Sequence, residues 1–374
     1  MHALLLFLLL LALPAAAQQS PASLHIFNWN DYIDRSVLGD FEKQSGIKVV
    51  YDEYDDNSIL NARLQRGTTG YDLVVPTAMP WLAQQISAGF YQKLDKDKIP
   101  NLQNLDPQLM RAVQKADPEN AHSVIYQWGT NGILYNADMV RSIFPDAPTD
   151  SWDMVFKPEN IARLKSCGVA FLDSPTEIYP IVLNYLGRNP ASGEMADLVA
   201  AEKLMKSIRP SIKYFHSSRY IDDLAQGRVC AVVGYSGDFV QARARAQAMG
   251  SRQNITYSIP REGTLIWFDM LAIPADAPNP DAAHAFINYL LQPEVMAKIS
   301  NYIGYANAVP AALPLMKGEI KGNPMIYPSV GMKQRLFSNA VTGPAFDRAM
   351  NQSWARMRSS NEVSSESPKK AAVP

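Results

Sequence analysis

The sequence predicts an α/β protein of two domains, and three observations carry that prediction. A chain of 374 residues, 47% hydrophobic and 19% charged, is long and apolar enough to bury more than one core. Between Leu24 and Val75, apolar runs of strand length alternate with amphipathic runs at helical spacing. That β-α-β-α-β order implies a parallel sheet with crossover helices. Further along, short apolar runs bounded by turn residues are again separated by helical segments, which makes a second α/β region.

The elements follow in order. Leu24 to Asn28 reads as the first strand, Val37 to Gln44 as a helix stopped at Gly46, and Ile47 to Tyr54 as the next strand. Asn57 to Arg66 is expected to be a helix capped by Asn57 and ended at Gly67; the strand Tyr71 to Val75 follows, broken at Pro76. Gly132 to Asn136, Gly168 to Asp173, Val229 to Tyr235 and Met270 to Pro274 are the strands of the second region, with helices at Glu194 to Lys206 and Pro280 to Leu291. Sheets of this kind bind ligands beyond the carboxyl ends of their strands. Asn28 to Tyr32 and Pro76 to Met79 are both strand exits.

The formal charge is −1. There is no global basic field to attract nucleic acid, so recognition by charge has to be local. The apolar run Ala3 to Leu13, then Pro14 and Ala15 to Ala17, has the pattern of a cleaved secretory signal peptide over residues 1–17. A membrane anchor needs about 18 or more apolar residues. Neither Lys nor Arg precedes the run, a departure from the usual pattern. Two cysteines in an exported chain, Cys167 and Cys230, suggest one disulfide. No Cys-x-x-Cys and no ligand spacing among the five histidines supports a metal or redox pair. Residues 359–374, rich in Ser, Pro and charge, read as a disordered tail.

Three places set an aromatic two or three residues before an acid at the end of an apolar run: Trp29/Asp31, Tyr235/Asp238 and Trp267/Asp269. Positions i and i+2 of a strand share a face, so Trp29 with Asp31 and Trp267 with Asp269 are expected to present a ring and a carboxylate together. A fourth acid, Glu177, stands two residues before Tyr179. Any one of these acids is as readily a helix cap or turn residue; four similar placements favour a site. Carboxylates interleaved with rings suit an organic cation. Ammonium groups pair with carboxylates by charge-assisted hydrogen bonds, ring faces attract the charge by about 0.5–2 kcal/mol, and rings cover methylenes at about 0.8 kcal/mol per CH2. A linear di- or triamine uses all three.

From about Leu24 to about Arg358 the chain resembles the periplasmic putrescine- and spermidine-binding proteins, the soluble receptors of bacterial polyamine ABC importers. The resemblance rests on stretches such as FNWNDYI, FEKQSGIKVVYD, GYDLVVPTA, WGTNGILYN, LKSCGVAFLDSP, YFHSSRYIDDLA and NYIGYANA. It implies a type II periplasmic binding protein, in which two α/β lobes close on a hinge over an interlobe ligand cleft. Lobe 1 would comprise 24–130 plus 262–306, and lobe 2 131–261 plus 307–358. It also supports the Cys167–Cys230 disulfide, a monomer in the periplasm, an inner-membrane permease as partner, and neither cofactor nor catalysis. Carried over by position, Trp29, Asn30, Asp31, Tyr32 and Thr77 would contact ligand from lobe 1. Trp267, Asp269 and Tyr305 would join them from the returning segment. Glu177, Ser217, Tyr235 and Asp238 would face them from lobe 2, with Asn339 beside them. Asp31 is thus a candidate ligand carboxylate, with a simple capping role as its alternative.

The chain departs from the family's commoner choices at Asn30, where Ser or Thr is usual, at Tyr235, where Trp is usual, and at Met79, where Ser or Tyr is expected. Trp267 and Asn339 resemble spermidine receptors, whereas Asp238 suits a short diamine. Two rival classes remain at this level. Paired carboxylates in a cleft also serve exported hydrolases, although Gly234 to Asp238 misses the G-x-S-x-G elbow at its last residue. A receptor for an amino acid would need a carboxylate-binding Arg, for which Arg219 is the candidate.

Overall fold

The computed structural model describes residues 23–359. The expected signal peptide, and the tail from residue 360 onward, lie outside the described residues; Ser359 itself ends the last helix. The chain opens with β1 (Ser23–Trp29), α1 (Arg35–Ser45), β2 (Lys48–Tyr54), α2 (Asn57–Gln65) and β3 (Leu73–Val74). β1 pairs in parallel with both β2 and β3, as the alternation predicts. Asp34 caps α1 by accepting from the Ser36 amide, and Gly46 ends it at φ 73, a left-handed conformation open to glycine at little cost. At α2 the expected cap moves by one residue. Asp56 accepts from the Ser58 amide, and Asn57 is released to hold Thr77.

The central element is β4 (Ser123–Asn136), a single strand of 14 residues where only Gly132 to Asn136 was expected. Its first part, Ser123 to Thr130, pairs antiparallel with β9; Asn131 to Tyr135 pair with β7. Gln127, Gly129, Thr130, Asn131 and Gly132 interrupt the apolar run, so periodicity breaks where the strand does not. All five are buried. The two glycines are there for close approach. A Cβ on Gly129 would lie 2.5 Å from the Trp267 ring, and one on Gly132 2.4 Å from the Ser258 carbonyl oxygen.

The second half follows with β5 (Val169–Phe171), α3 (Pro175–Tyr185), α4 (Met195–Ile208), β6 (Ile212–Phe215), α5 (Tyr220–Ala225), β7 (Ala231–Tyr235), α6 (Asp238–Ala248), β8 (Ile255–Ser258) and β9 (Thr264–Ala272). The strand order is β2-β1-β3-β9-β4-β7-β5-β6, so β4 and β9 join two α/β lobes. Because β9 runs antiparallel to β3 and β4, the sheet is mixed rather than purely parallel. The Cys167–Cys230 disulfide closes a loop with sequence separation 63 and ties the start of β5 to that of β7. Its entropic contribution is about 4 kcal/mol in the chain-entropy model.

The chain then returns through α7 (Pro280–Leu290), α8 (Pro293–Ile303), β10 (Ala306–Asn307) and β11 (Leu336–Phe337) to α9 (Pro344–Ser359). β10 pairs with β4 at Gln127 and Trp128, and Tyr327 packs edge-on against Trp128 at 5.9 Å. Residues 307–327 therefore lie against the first lobe. β11 pairs with β9 at Thr264, and the chain rejoins the second lobe at α9, where Trp354 meets Tyr179 and Phe215.

Candidate functional site

β9 delivers Trp267 and Asp269 to one cleft, two residues apart on one face, as strand alternation predicts. Asp269 is buried and accepts hydrogen bonds from Thr77 Oγ1 at 2.6 Å and the Tyr32 hydroxyl at 2.8 Å. Both donors are held in turn: Asn57 donates to Thr77 Oγ1 at 3.1 Å, and the Tyr126 hydroxyl donates to the Tyr32 carbonyl at 2.8 Å. Burial pushes the Asp269 carboxyl up to about 7, against the two hydrogen bonds that favour its charged form.

Asp238 opens α6 and accepts from the hydroxyls of Tyr220 and Tyr305. Burial raises it to about 6, opposed by those bonds and by the Arg245 charge. Tyr305 reaches it only because residue 237 is glycine, where a Cβ would stand 2.5 Å from the ring. The Tyr305 ring meets Tyr32 at 5.3 Å and Trp267 at 5.3 Å, and Trp267 meets Tyr235 at 5.7 Å. These edge-to-face contacts make one continuous aromatic wall from lobe to lobe.

Glu177, in the first turn of α3, takes hydrogen bonds from Asn131 Nδ2 at 2.7 Å and the Tyr235 hydroxyl at 3.2 Å. It is half-buried on the cleft wall, and desolvation pushes it up to about 7. At the exit of β1, Trp29 Nε1 donates to the Val75 carbonyl at 2.8 Å while its ring packs on Tyr54 at 4.6 Å. Asn30 and Ser217 complete the expected lining; Ser217 Oγ also accepts from the Asp173 amide.

Two expected residues are placed elsewhere. β1 ends at Trp29, and Asp31 adopts φ 56 in the turn beyond it, so the rule that i and i+2 share a face no longer applies. Its exposed carboxylate pairs with Arg245 Nη2 at 2.7 Å, across the cleft mouth from α6. Asn339 lines a neighbouring groove and donates to the Thr176 carbonyl at 2.6 Å. Four lining residues escaped the sequence reading: Asp55, Ser218, Ile221 and Gln241. Asp55 carried a signal, since it follows Tyr54 at the exit of β2 in the same ring-then-acid order. Gln241 gave none, its amide being bound to the Ile303 carbonyl at 3.1 Å.

The assembled cleft holds four acids, Asp55, Glu177, Asp238 and Asp269, among five aromatic side chains. Among the described residues, no Lys, Arg or His lines it. Arg219, the candidate for a ligand carboxylate, instead pairs with Asp223 at 3.3 Å and stacks on Tyr214. Such a cleft is built to hold a cation by charge, hydrogen bonds and ring faces together.

Comparison with known proteins agrees with this architecture. Residues 37–326 match the model of the bacterial extracellular solute-binding protein family. The chain is 48% identical over 346 residues to the putrescine-binding periplasmic protein PotF of Escherichia coli K12, covering 92% of this chain and 93% of that protein. It is 50% identical over 337 residues to the putrescine-binding periplasmic protein SpuD of Pseudomonas aeruginosa UCBPP-PA14, covering 90% and 92%. The crystal structure of the spermidine/putrescine ABC transporter substrate-binding protein PotD from Streptococcus pneumoniae superposes with a TM-score of 0.73 at 28% identity, over 90% of this chain and 98% of that one. With its two α/β lobes, its cleft and these relatives, the chain belongs to the bacterial extracellular solute-binding proteins and has the type II periplasmic binding protein fold.

Proposed function

We propose that the protein is a periplasmic receptor that captures a polyamine, spermidine or putrescine, between its lobes and delivers it to an inner-membrane ABC permease. The observation that carries this reading is the cleft with four acids, five aromatic side chains and no basic side chain among its described lining residues. An amino acid or another anion would find no counter-charge there. Sugar binding does not call for several buried carboxylates that lack cationic partners. The names of PotF, SpuD and PotD point the same way.

In this reading Trp29, Asn30, Tyr32, Thr77, Trp267, Asp269 and Tyr305 bind from the first lobe and its returning segment, and Glu177, Ser217, Tyr235 and Asp238 from the second. The lobe boundaries are those expected from sequence, except that 307–327 belongs with lobe 1. The protein acts as a monomer, exported by its N-terminal signal, without cofactor or turnover. The Asp31–Arg245 pair joins the two lobes, which suits a cleft complete only when closed. A thermal-shift screen of putrescine and spermidine against amino acids and sugars tests the ligand class. Stabilisation by the amines alone supports the reading; a shift confined to an amino acid or sugar, or recovery of a chemically altered amine from pure protein, overturns it.

A further inference from the structure

Three acids of the cleft, Asp269 and Asp238 buried and Glu177 half-buried, share one feature. Each is satisfied by neutral donors: Asp269 by Tyr32 and Thr77, Asp238 by Tyr220 and Tyr305, Glu177 by Asn131 and Tyr235. Around Asp269 stand Tyr54 and Tyr126 besides its two donors, none of them a cation. Glu177 faces Asp269 and Asp56, two further negative groups. Asp238 feels Asp31 and one cation, Arg245, whose Nη2 and Nη1 are engaged by Asp31 and Asp222. With Asp55 also on the wall, the cleft gathers four acids and no base among its described lining residues.

A buried carboxylate without a cationic partner takes up a proton rather than remain charged. An ammonium ion arriving in the cleft supplies the missing partner. We propose that loading this cleft displaces protons from its own carboxylates, so that capture of a cationic ligand is coupled to proton release and weakens on acidification. This rests on the polyamine reading above. The balance is simple: a neutral carboxyl gives its proton to solvent and the carboxylate left behind pairs with the ligand ammonium. The ligand contributes no proton, because aliphatic amines titrate near about 10, like lysine.

The sign follows from the direction of the shifts. Asp269 and Glu177 are raised to about 7 and Asp238 to about 6, desolvation being the first cause of each. Pairing with ammonium lowers all three, so affinity rises with pH through this window and levels off above it. At pH 5.5 each group near 7 that has to ionise weakens binding by up to roughly thirtyfold. Because the three groups interact, their protons leave as a coupled set.

The test is calorimetry of putrescine and spermidine binding at pH 6.5, in buffers of different ionisation enthalpy, repeated at pH 8.5 and accompanied by affinities at pH 5.5 and 8. The expected result is net proton release at pH 6.5 that fades at pH 8.5, with binding at least roughly tenfold weaker at pH 5.5 than at pH 8. Glu177→Gln, which keeps the shape of the side chain, should release fewer protons. Binding without proton exchange at pH 6.5, release that persists undiminished at pH 8.5, or unchanged release in Glu177→Gln overturns the proposal and leaves polyamine binding intact. Failure of either amine to bind at any pH removes the functional reading beneath it.

Discussion

Trp29-Asn30-Asp31 and Trp267-Phe268-Asp269 have the same sequence order, a ring, a spacer and an acid, yet the two acids end in opposite environments. Asp269 sits in mid-strand on β9, buried, with Tyr32 and Thr77 on its oxygens. Asp31 lies two residues past the end of β1, exposed, at φ 56, and its partner is an arginine from the other lobe. The difference teaches that a two-residue spacing aims a side chain only while the backbone stays extended. Past the last paired residue the turn chooses the direction. One acid is thereby turned into the cleft, the other into an ion pair with an arginine of the second lobe.

The largest expected effect tests the buried member of the pair. Asp269→Asn keeps the shape and the two donors but removes the charge. Affinity for the preferred amine should fall by about 2–5 kcal/mol, roughly 30-fold or more, in calorimetry at neutral pH. A loss below about threefold would mean that Asp269 does not meet an ammonium group. The next test asks how firmly the ring beside it is seated. Gly129→Ala places a Cβ 2.5 Å from the Trp267 ring and 2.7 Å from Ser236 Oγ. Overpacking of this kind costs about 1–3 kcal/mol, to be read as a lower denaturation midpoint in urea, and ligand affinity should fall with it. Unchanged stability would show that β4 and β9 can part without penalty. The smallest effect belongs to the exposed member. Asp31→Asn removes one arm of a half-exposed ion pair, worth about 0.2–1 kcal/mol. The loss in affinity should stay under about sixfold and shrink further in high salt, because screening already weakens such pairs. A loss as large as that of Asp269→Asn would place Asp31 in direct contact with ligand and erase the distinction.

Much of this molecule was written in the sequence at short range. The parallel β1–β3 unit, the stop at Gly46, the helices of the second region and the shared face of Trp267 and Asp269 all follow from hydrophobic periodicity, chain breakers and strand alternation. These are properties of neighbouring residues, so a sequence contains them. The tertiary structure decided the rest. It extended β4 through Gln127, Thr130 and Asn131, polar residues whose backbones pair with β7 and β9 and whose side chains bond to Ser300, Tyr257 and Glu177. It gave the cap of α2 to Asp56 and turned Asn57 toward Thr77. It also sent Asn339 to a separate groove, brought Asp55 and Gln241 to the cleft, and bound Asp31 to Arg245. In each of these cases the deciding partner lies far away along the chain. A polar side chain with several neutral or charged neighbours within reach settles where its hydrogen bonds are best satisfied, and folding alone determines which neighbours those are.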